Sequence, residues 1–589
     1  DTLSFSAGTG ITIIPNDLTS LSKIGTLKFN DAGNNIVLGA DGLIAGIRTL
    51  VGGEGGDDGT GNIFDTSAYG SAGVLFQVTD QNYLKNITTL VGGSGVDTLK
   101  FSRDGVSVTD EVVANLYNID VLRTANGNNR FMLSDQFVAA GIDSIIGGTG
   151  ADTLDISDNV LYTPTPVSDV PGAATDIITF DASAGSGYTL IGTTDNFPYA
   201  KVVGGAAGGS VILDGISLID SDFTNMFQAN AGTLTMRTAS GVSVELGVNA
   251  KGMGLNRLNM ADGDDQIDVR AFAGTLTVSG GGGNDLVETS FAALADMTFL
   301  GSAGSDTLQL VGSDARAITT LKGDFDALVL NAGNNFVALG NEAGLSTIYG
   351  GGGFDTIHML TNTTGIDVVM DSAKLGSSSG FASLNGGSGS DTLTLLNAPG
   401  TFSDAHFTRI GLRNLTGGGG GEIENLVTYS DPTTGQGGST YNLGFISDNA
   451  GISTVYFHEN DIVDGSGRVG GSAKAIIFIV TDPNVIGTAT ITGTSQTDTL
   501  TAMADASVTT NFTITDNDLA GVTALEVFVF QNANSSSGVN LGMDLWADNA
   551  GITTFIGGTG NDTVDAATGG NYSLNSSMTG GAGDDSILG

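Results

Sequence analysis

Apolar and polar residues alternate along this chain in short runs, as in Thr275-Leu-Thr-Val278 and Thr298-Phe-Leu300. A period of two places successive side chains on opposite faces of a strand, so these runs read as half-buried β-strands. Glycine-rich turns separate them. Helical periodicity is nearly absent, and Ser290–Ala295 is the one stretch that reads as a short helical turn. The aspartates closing successive turns, Asp265, Asp285 and Asp306, lie 20 and 21 residues apart. Two strands and two turns of ordinary length occupy about that many residues. The spacing therefore predicts one turn of a coil, with successive turns stacking as the rungs of an all-β solenoid.

The turns share one sequence, Gly-Gly-x-Gly-x-Asp, usually followed by Thr and an aliphatic residue. It occurs at Gly52–Asp57, Gly92–Asp97, Gly147–Asp152, Gly280–Asp285, Gly350–Asp355, Gly386–Asp391, Gly557–Asp562 and Gly580–Asp585. A near copy ends at Asp306, and looser ones end at Asp265 and Asp498. Glycine lets a backbone turn bring its carbonyl oxygens inward, and each Asp adds a charged oxygen. Hard cations, Ca2+ above all, take such all-oxygen sets. The same residues also suit turn chemistry alone, with Asp capping backbone amides.

A second, longer period overlies the first. Ala-Gly-Ile-x-Thr-(apolar) occurs at Ala45–Leu50, Ala140–Ile145, Ala343–Ile348, Ala450–Val455 and Ala550–Phe555, with a divergent copy at Met253–Leu258. Its glycines at 46, 141, 254, 344, 451 and 551 are 95, 113, 90, 107 and 100 residues apart. An Asn-Asn pair precedes three copies, at Asn34-Asn35, Asn128-Asn129 and Asn334-Asn335. Self-similarity at a fixed period marks a repeat array. The expectation is a continuous parallel β-roll-like rod of about six units, near 1–96, 97–200, 201–300, 301–400, 401–500 and 501–589. A string of β-sandwich domains is the alternative. Asp1-Thr-Leu repeats Asp97-Thr-Leu without the preceding glycines, so the chain reads as a piece of a longer repetitive protein.

Composition narrows the function. Of 589 residues, 63 are acidic and 20 basic, a net charge of −43. That excludes nucleic acid and anionic membrane surfaces as natural partners and favours cations. With 40% hydrophobic residues the chain folds rather than staying disordered. There is no cysteine, hence no disulfide, thiol catalysis or cysteine-zinc site. No apolar run reaches membrane-spanning length; Ala475–Val480 is about the longest.

The turn motif with its following apolar residue resembles the nonapeptide of the RTX (repeats-in-toxin) proteins secreted by bacteria. In that family the repeats follow one another every nine residues, whereas here they are solitary or a long rung apart. The resemblance implies a parallel β-roll with Ca2+ between turns. It implies metal-ligand roles for Asp57, Asp97, Asp152, Asp265, Asp285, Asp306, Asp355, Asp391, Asp562 and Asp585. Asp58, Asp262, Asp264 and Asp584 stand beside them as further acids, and Leu99, Leu154, Leu308, Ile357 and Leu393 would be core.

Candidates for catalysis are few. The three histidines, His358, His406 and His458, include no His-Glu-x-x-His pair. Gly376–Gly380 matches Gly-x-Ser-x-Gly formally but lies in a Ser/Gly run without strand–turn–helix context. Thr488–Thr494 is a Thr-rich segment of one strand, and Trp546 is the single tryptophan, a poor endowment for a carbohydrate groove. The expected protein is therefore not an enzyme. It is an extracellular structural protein of the bacterial surface that folds on Ca2+ and self-associates into a surface layer or fibril, with cell-surface polysaccharide as a further partner. An adhesin stalk and a polysaccharide-modifying solenoid are the alternatives.

Overall fold

The computed structural model describes residues 1–5, 10–29, 33–52, 61–85, 88–133, 135–157, 178–313, 317–339, 345–351, 355–359, 365–371, 383–386, 390–396, 401–408, 422–428, 438–469, 473–504, 511–532, 538–566 and 577–588. The chain forms two compact units, Asp1–Asp306 and Thr307–Gly589.

In the first unit each turn of the chain adds one strand to each of two parallel sheets. A nine-stranded sheet begins Thr2–Ser4, Thr26–Lys28, Thr49–Val51, Leu75–Val78, Thr98–Phe101 and continues to Ala200–Gly204. Its register is unbroken through Thr2, Thr26, Thr49, Leu75, Thr98 and Val121. The intervening strands build the opposite wall, first as a five-stranded sheet holding Thr12–Ile13 to Leu116–Tyr117. From Ser107–Val108 a further ladder runs to Met297–Ala303, and from Ser217–Leu218 to Leu286–Thr289 another accompanies it. In the second unit one long ladder extends from Thr307–Leu310 to Ser577–Thr579. Three shorter sheets succeed each other opposite it.

All the described pairings are parallel, with partners about one rung apart in sequence. Beads of β-sandwich are built from antiparallel hairpins, so parallel pairing at every rung excludes that alternative. The solenoid expectation holds.

Alternation does what the sequence pattern predicts. In each long-ladder strand the middle residue points inward and its two neighbours outward, so Leu308, Leu328, Ile348, Val368, Leu393 and Leu426 stack as one buried column. Leu99, Leu154 and Ile357, also expected in the core, are buried as well. At roughly 1.5–3 kcal/mol per buried aliphatic side chain, this column stabilises the stacking of rung on rung.

Helices are short and occupy corners. The expected turn is a helix at Phe291–Leu294, N-capped by the Ser290 hydroxyl, which accepts from Ala293 N–H. The Ala-Gly-Ile-x-Thr motif proves to be a helix end. Gly46 and Gly551 follow Ala40–Ala45 and Leu545–Ala550 with φ of 93° and 91°, the left-handed conformation that closes a helix. The Ile then enters the core, as Ile47 and Ile552 do, and the Thr opens the next ladder strand at Thr49 and Thr554.

Gly551→Ala is expected to cost about 1–2 kcal/mol, because a β-carbon at positive φ is strained even though it would meet the Leu525 backbone only at ordinary contact distance. Urea unfolding of the variant checks this. An unchanged midpoint would contradict the assigned helix end.

Candidate functional site

The motif aspartates sit at the corner where a turn enters a strand, and they are almost wholly buried. Asp97, Asp152, Asp265, Asp285, Asp306, Asp355, Asp391, Asp498 and Asp562 each retain 3% exposure or less. An ionised carboxylate so placed requires strong partners. It finds them one rung away. Oδ1 of Asp97 accepts from Val74 N–H at 2.7 Å, Asp152 from Asn129 N–H at 2.9 Å and Asp391 from Ile366 N–H at 2.9 Å. Oδ1 of Asp355 accepts from Asn335 N–H at 2.8 Å and that of Asp562 from Val539 N–H at 2.8 Å. Where motifs occupy consecutive rungs the bonds chain together. Asp265 Oδ1 accepts from Val242 N–H, Asp285 Oδ1 from Asp265 N–H at 3.0 Å, and Asp306 Oδ1 from Asp285 N–H at 2.9 Å. Asp585, which is exposed, takes the Asp562 N–H at 2.9 Å.

The Asn-Asn pairs belong to the same ladder. Asn34 Oδ1 accepts from Ile11 N–H, Asn62 Oδ1 from Asn34 N–H and Asn129 Oδ1 from Val106 N–H. Their amide groups point onward: Asn34 Nδ2 donates to Asn62 Oδ1 and Asn129 Nδ2 to Asp152 Oδ1 at 2.8 Å. A neutral amide thus performs the task of the aspartate at the same corner.

The glycines answer to this ladder. A β-carbon on Gly92, Gly147, Gly280, Gly301, Gly386, Gly557 or Gly580 would collide with Oδ2 of the aspartate five residues on. A β-carbon on Gly148 or Gly150 would collide with the backbone carbonyl oxygen of Ala125 or Gly127 in the rung before. The first glycine of the motif therefore makes room for the carboxylate, and the others let turn stack on turn.

Oδ2 divides the sites. In Asp97 it accepts from Gly93 N–H at 2.7 Å, in Asp562 from Gly558 N–H at 2.9 Å, and in Asp498 from Thr494 N–H. Both carboxylate oxygens of these three face amide donors, and that does not fit a calcium shell. In Asp152, Asp265, Asp285 and Asp391 the buried Oδ2 has no hydrogen-bond donor. An orphaned buried anionic oxygen fits a proton or a cation. Burial pushes Asp285 and Asp391 up to about 7 and Asp265 to about 6. Asp306 and Asp265 add to the effect on Asp285, and Glu424 to that on Asp391. Burial likewise raises Asp97, Asp152 and Asp562. Among the described residues no group of three or more His, Asp or Glu side chains converges on a point. Asp57, Asp58 and Gly376–Gly380 lie outside the described residues.

Several acceptors carry no glycine signature. Asp120, Glu424 and Glu526 take the backbone N–H of Asp97, Asp391 and Asp498. Asp461 accepts from Gly438 and Ser439 N–H through Oδ1 and from Thr428 Oγ1 and His458 N–H through Oδ2.

A second device repeats with the longer period. Asp220, Asp404 and Asp516 each cap a short helix in the following rung through three amides: Gly247, Asn249 and Ala250; Gly444, Ile446 and Ser447; Asp544, Trp546 and Ala547. Each sits in an Asp-x-Asp/His turn followed by an apolar residue, visible in Asp220-Ser-Asp222, Asp404-Ala-His406 and Asp516-Asn-Asp518. His406 accepts the Ser403 N–H at Nδ1 as Asp222 and Asp518 accept from Ile219 and Thr515 N–H. Burial lowers the pKa of His458, whose Nδ1 lies 2.9 Å from Thr428 Oγ1. His358 falls in the strand Thr356–Met359.

Arg468 is fully buried, with Nη1 3.7 Å from Asp448 Oδ1 and Nη2 donating to Ser447 Oγ at 3.4 Å. Burial holds its pKa below the ordinary arginine value despite nearby Asp448, Asp404 and Asp498. No family model matches this chain, and no curated protein sequence matches it either.

The raised aspartates fix a sign. A carboxyl held above its unfolded pKa favours folding when protonated. Its contribution is therefore present in acid and lost as pH climbs from the usual carboxylate range through about 7. In chelator, thermal stability should fall between about pH 5 and pH 8. Asp285→Asn with Asp391→Asn should flatten that fall, as Asn already serves at Asn34 and Asn129. A slope unchanged by the double variant would contradict the assignment.

Proposed function

We propose that this chain is an extracellular structural protein whose copies associate into a surface layer or fibril of the bacterial cell surface. The observation that carries the reading is repetition. The same corner bond and core column recur from rung to rung, the helix cap returns at longer intervals, and no singular cluster interrupts them among the described residues. The reading contains no catalytic centre: His406 takes a capping role that aspartates fill elsewhere. A chain of net charge −43 without cysteine suits a calcium-rich exterior.

Calcium enters at the four orphaned oxygens. Asp152, Asp265, Asp285 and Asp391 would hold it through Oδ2, where its charge would offset that of a buried carboxylate. The amide ladder then supports each coil, and Ca2+ adds to it.

Titrating Ca2+ into chelator-treated protein, with Mg2+ in parallel, tests this by light scattering and electron microscopy. Ca2+ is expected to raise the melting temperature and produce ordered sheets or fibrils, with Mg2+ far less effective. Particles that remain single at every Ca2+ concentration would overturn the assembly reading and favour a stalk.

A further inference from the structure

The long ladder of the second unit presents two outward columns of side chains, on either side of its buried middle column. Its twelve described strands from Thr307–Leu310 to Ser577–Thr579 give twenty-four such positions. In a chain of net charge −43 these positions hold a single charge, Asp367. Asp367 is itself engaged, accepting from Thr394 Oγ1 at 2.8 Å. Half of one column is threonine. The other is β-branched and aromatic, with Val329, Tyr349, Val427, Tyr456, Ile479 and Val529 in it. Most of these positions keep partial exposure; Tyr349 and Ile556 retain 40% and Ile477 42%.

The outward positions of the first unit carry more charge. Glu245, Asp268 and Glu288 stack at one register there. The nine-stranded sheet there exposes Lys28, Lys100, Arg123 and Asp181 at another.

We propose that the outer face of the long ladder in Thr307–Gly589 is the surface on which a second copy of this chain docks. The inference rests on the self-association proposed above and names the face that carries it. Two copies of one strongly acidic chain repel, and they approach at least cost where neither carries charge. Rungs about 4.8 Å apart and columns about 7 Å apart give a face about 50 Å by about 14 Å. That is roughly 700 Å2, near the ~800 Å2 per partner of a stable complex. Parallel columns of Val, Ile, Tyr and Thr can oppose their like at the ~10 Å spacing of packed sheets.

The full chain carrying Val427→Glu, Ile479→Glu and Val529→Glu is compared with wild type and with Thr440→Glu, Ile462→Glu, Thr490→Glu. The second set adds equal charge to another sheet of the same unit. Sedimentation should show the first variant needing at least tenfold more protein to associate, and the second behaving as wild type. Equal association of all three would overturn the face while leaving self-association standing. A wild type that never associates would overturn both.

Because the chain has no cysteine, single thiols give a readout free of folding effects. Ile477→Cys on the face and Ile462→Cys off it start from matched exposures of 42% and 41%. On assembly, maleimide labelling should slow at least tenfold at residue 477 only. Equal rates at both would contradict the proposal.

Discussion

The hydrogen bond from a backbone amide to the Asp or Asn side chain of the next rung is the constraint on which this structure depends. A parallel coil must turn twice per rung, and each turn leaves amides that no strand partner can reach. Here an acceptor side chain from the adjacent rung closes that gap, as Asp97, Asp265 and Asp562 do for Val74, Val242 and Val539. The bond lies along the stacking direction, so it sets the register of one rung on the next. The burial of the aspartate, the glycine five residues before it and the aliphatic core residue two after it follow from that one placement.

Holding a carboxylate in that corner has an electrostatic consequence. Where Oδ2 finds a second amide, as in Asp97 and Asp562, the charge is accommodated by donors. Where it finds none, as in Asp285 and Asp391, burial raises the pKa to about 7 and leaves an oxygen open to a proton or a cation. One motif therefore yields two kinds of corner, one closed by the protein and one responsive to its surroundings. The asparagine corners at Asn34 and Asn129 form a third kind, insensitive to both.

Much of this was legible in the sequence because it is local. The Gly-Gly-x-Gly-x-Asp spacing located the corners, the interval between aspartates gave the rung, and the resemblance to the RTX nonapeptide implied core positions for Leu99 and Leu393, which are buried. The rest was hidden because its partners are distant. The helices ending in Ala-Gly-Ile are too short to show periodicity, and their caps come from Asp220, Asp404 and Asp516 in the preceding rung. Glu424 and Glu526 serve the ladder without any glycine to mark them. The uncharged face emerges only once strands are in register, and rung lengths vary too much for counting alone to align Thr392 with Asn425.

The central claim, that cross-rung amide capping by the turn aspartates supports the coil, is tested most directly by amide hydrogen exchange in chelator. The amides of Val242, Asp265 and Asp285 should exchange as slowly as those of the neighbouring strands. Asp285→Ala should selectively expose the Asp265 amide, which loses its acceptor. Free exchange of all three until Ca2+ is added would contradict the account and make the metal, rather than the amide ladder, the element that holds the rungs together.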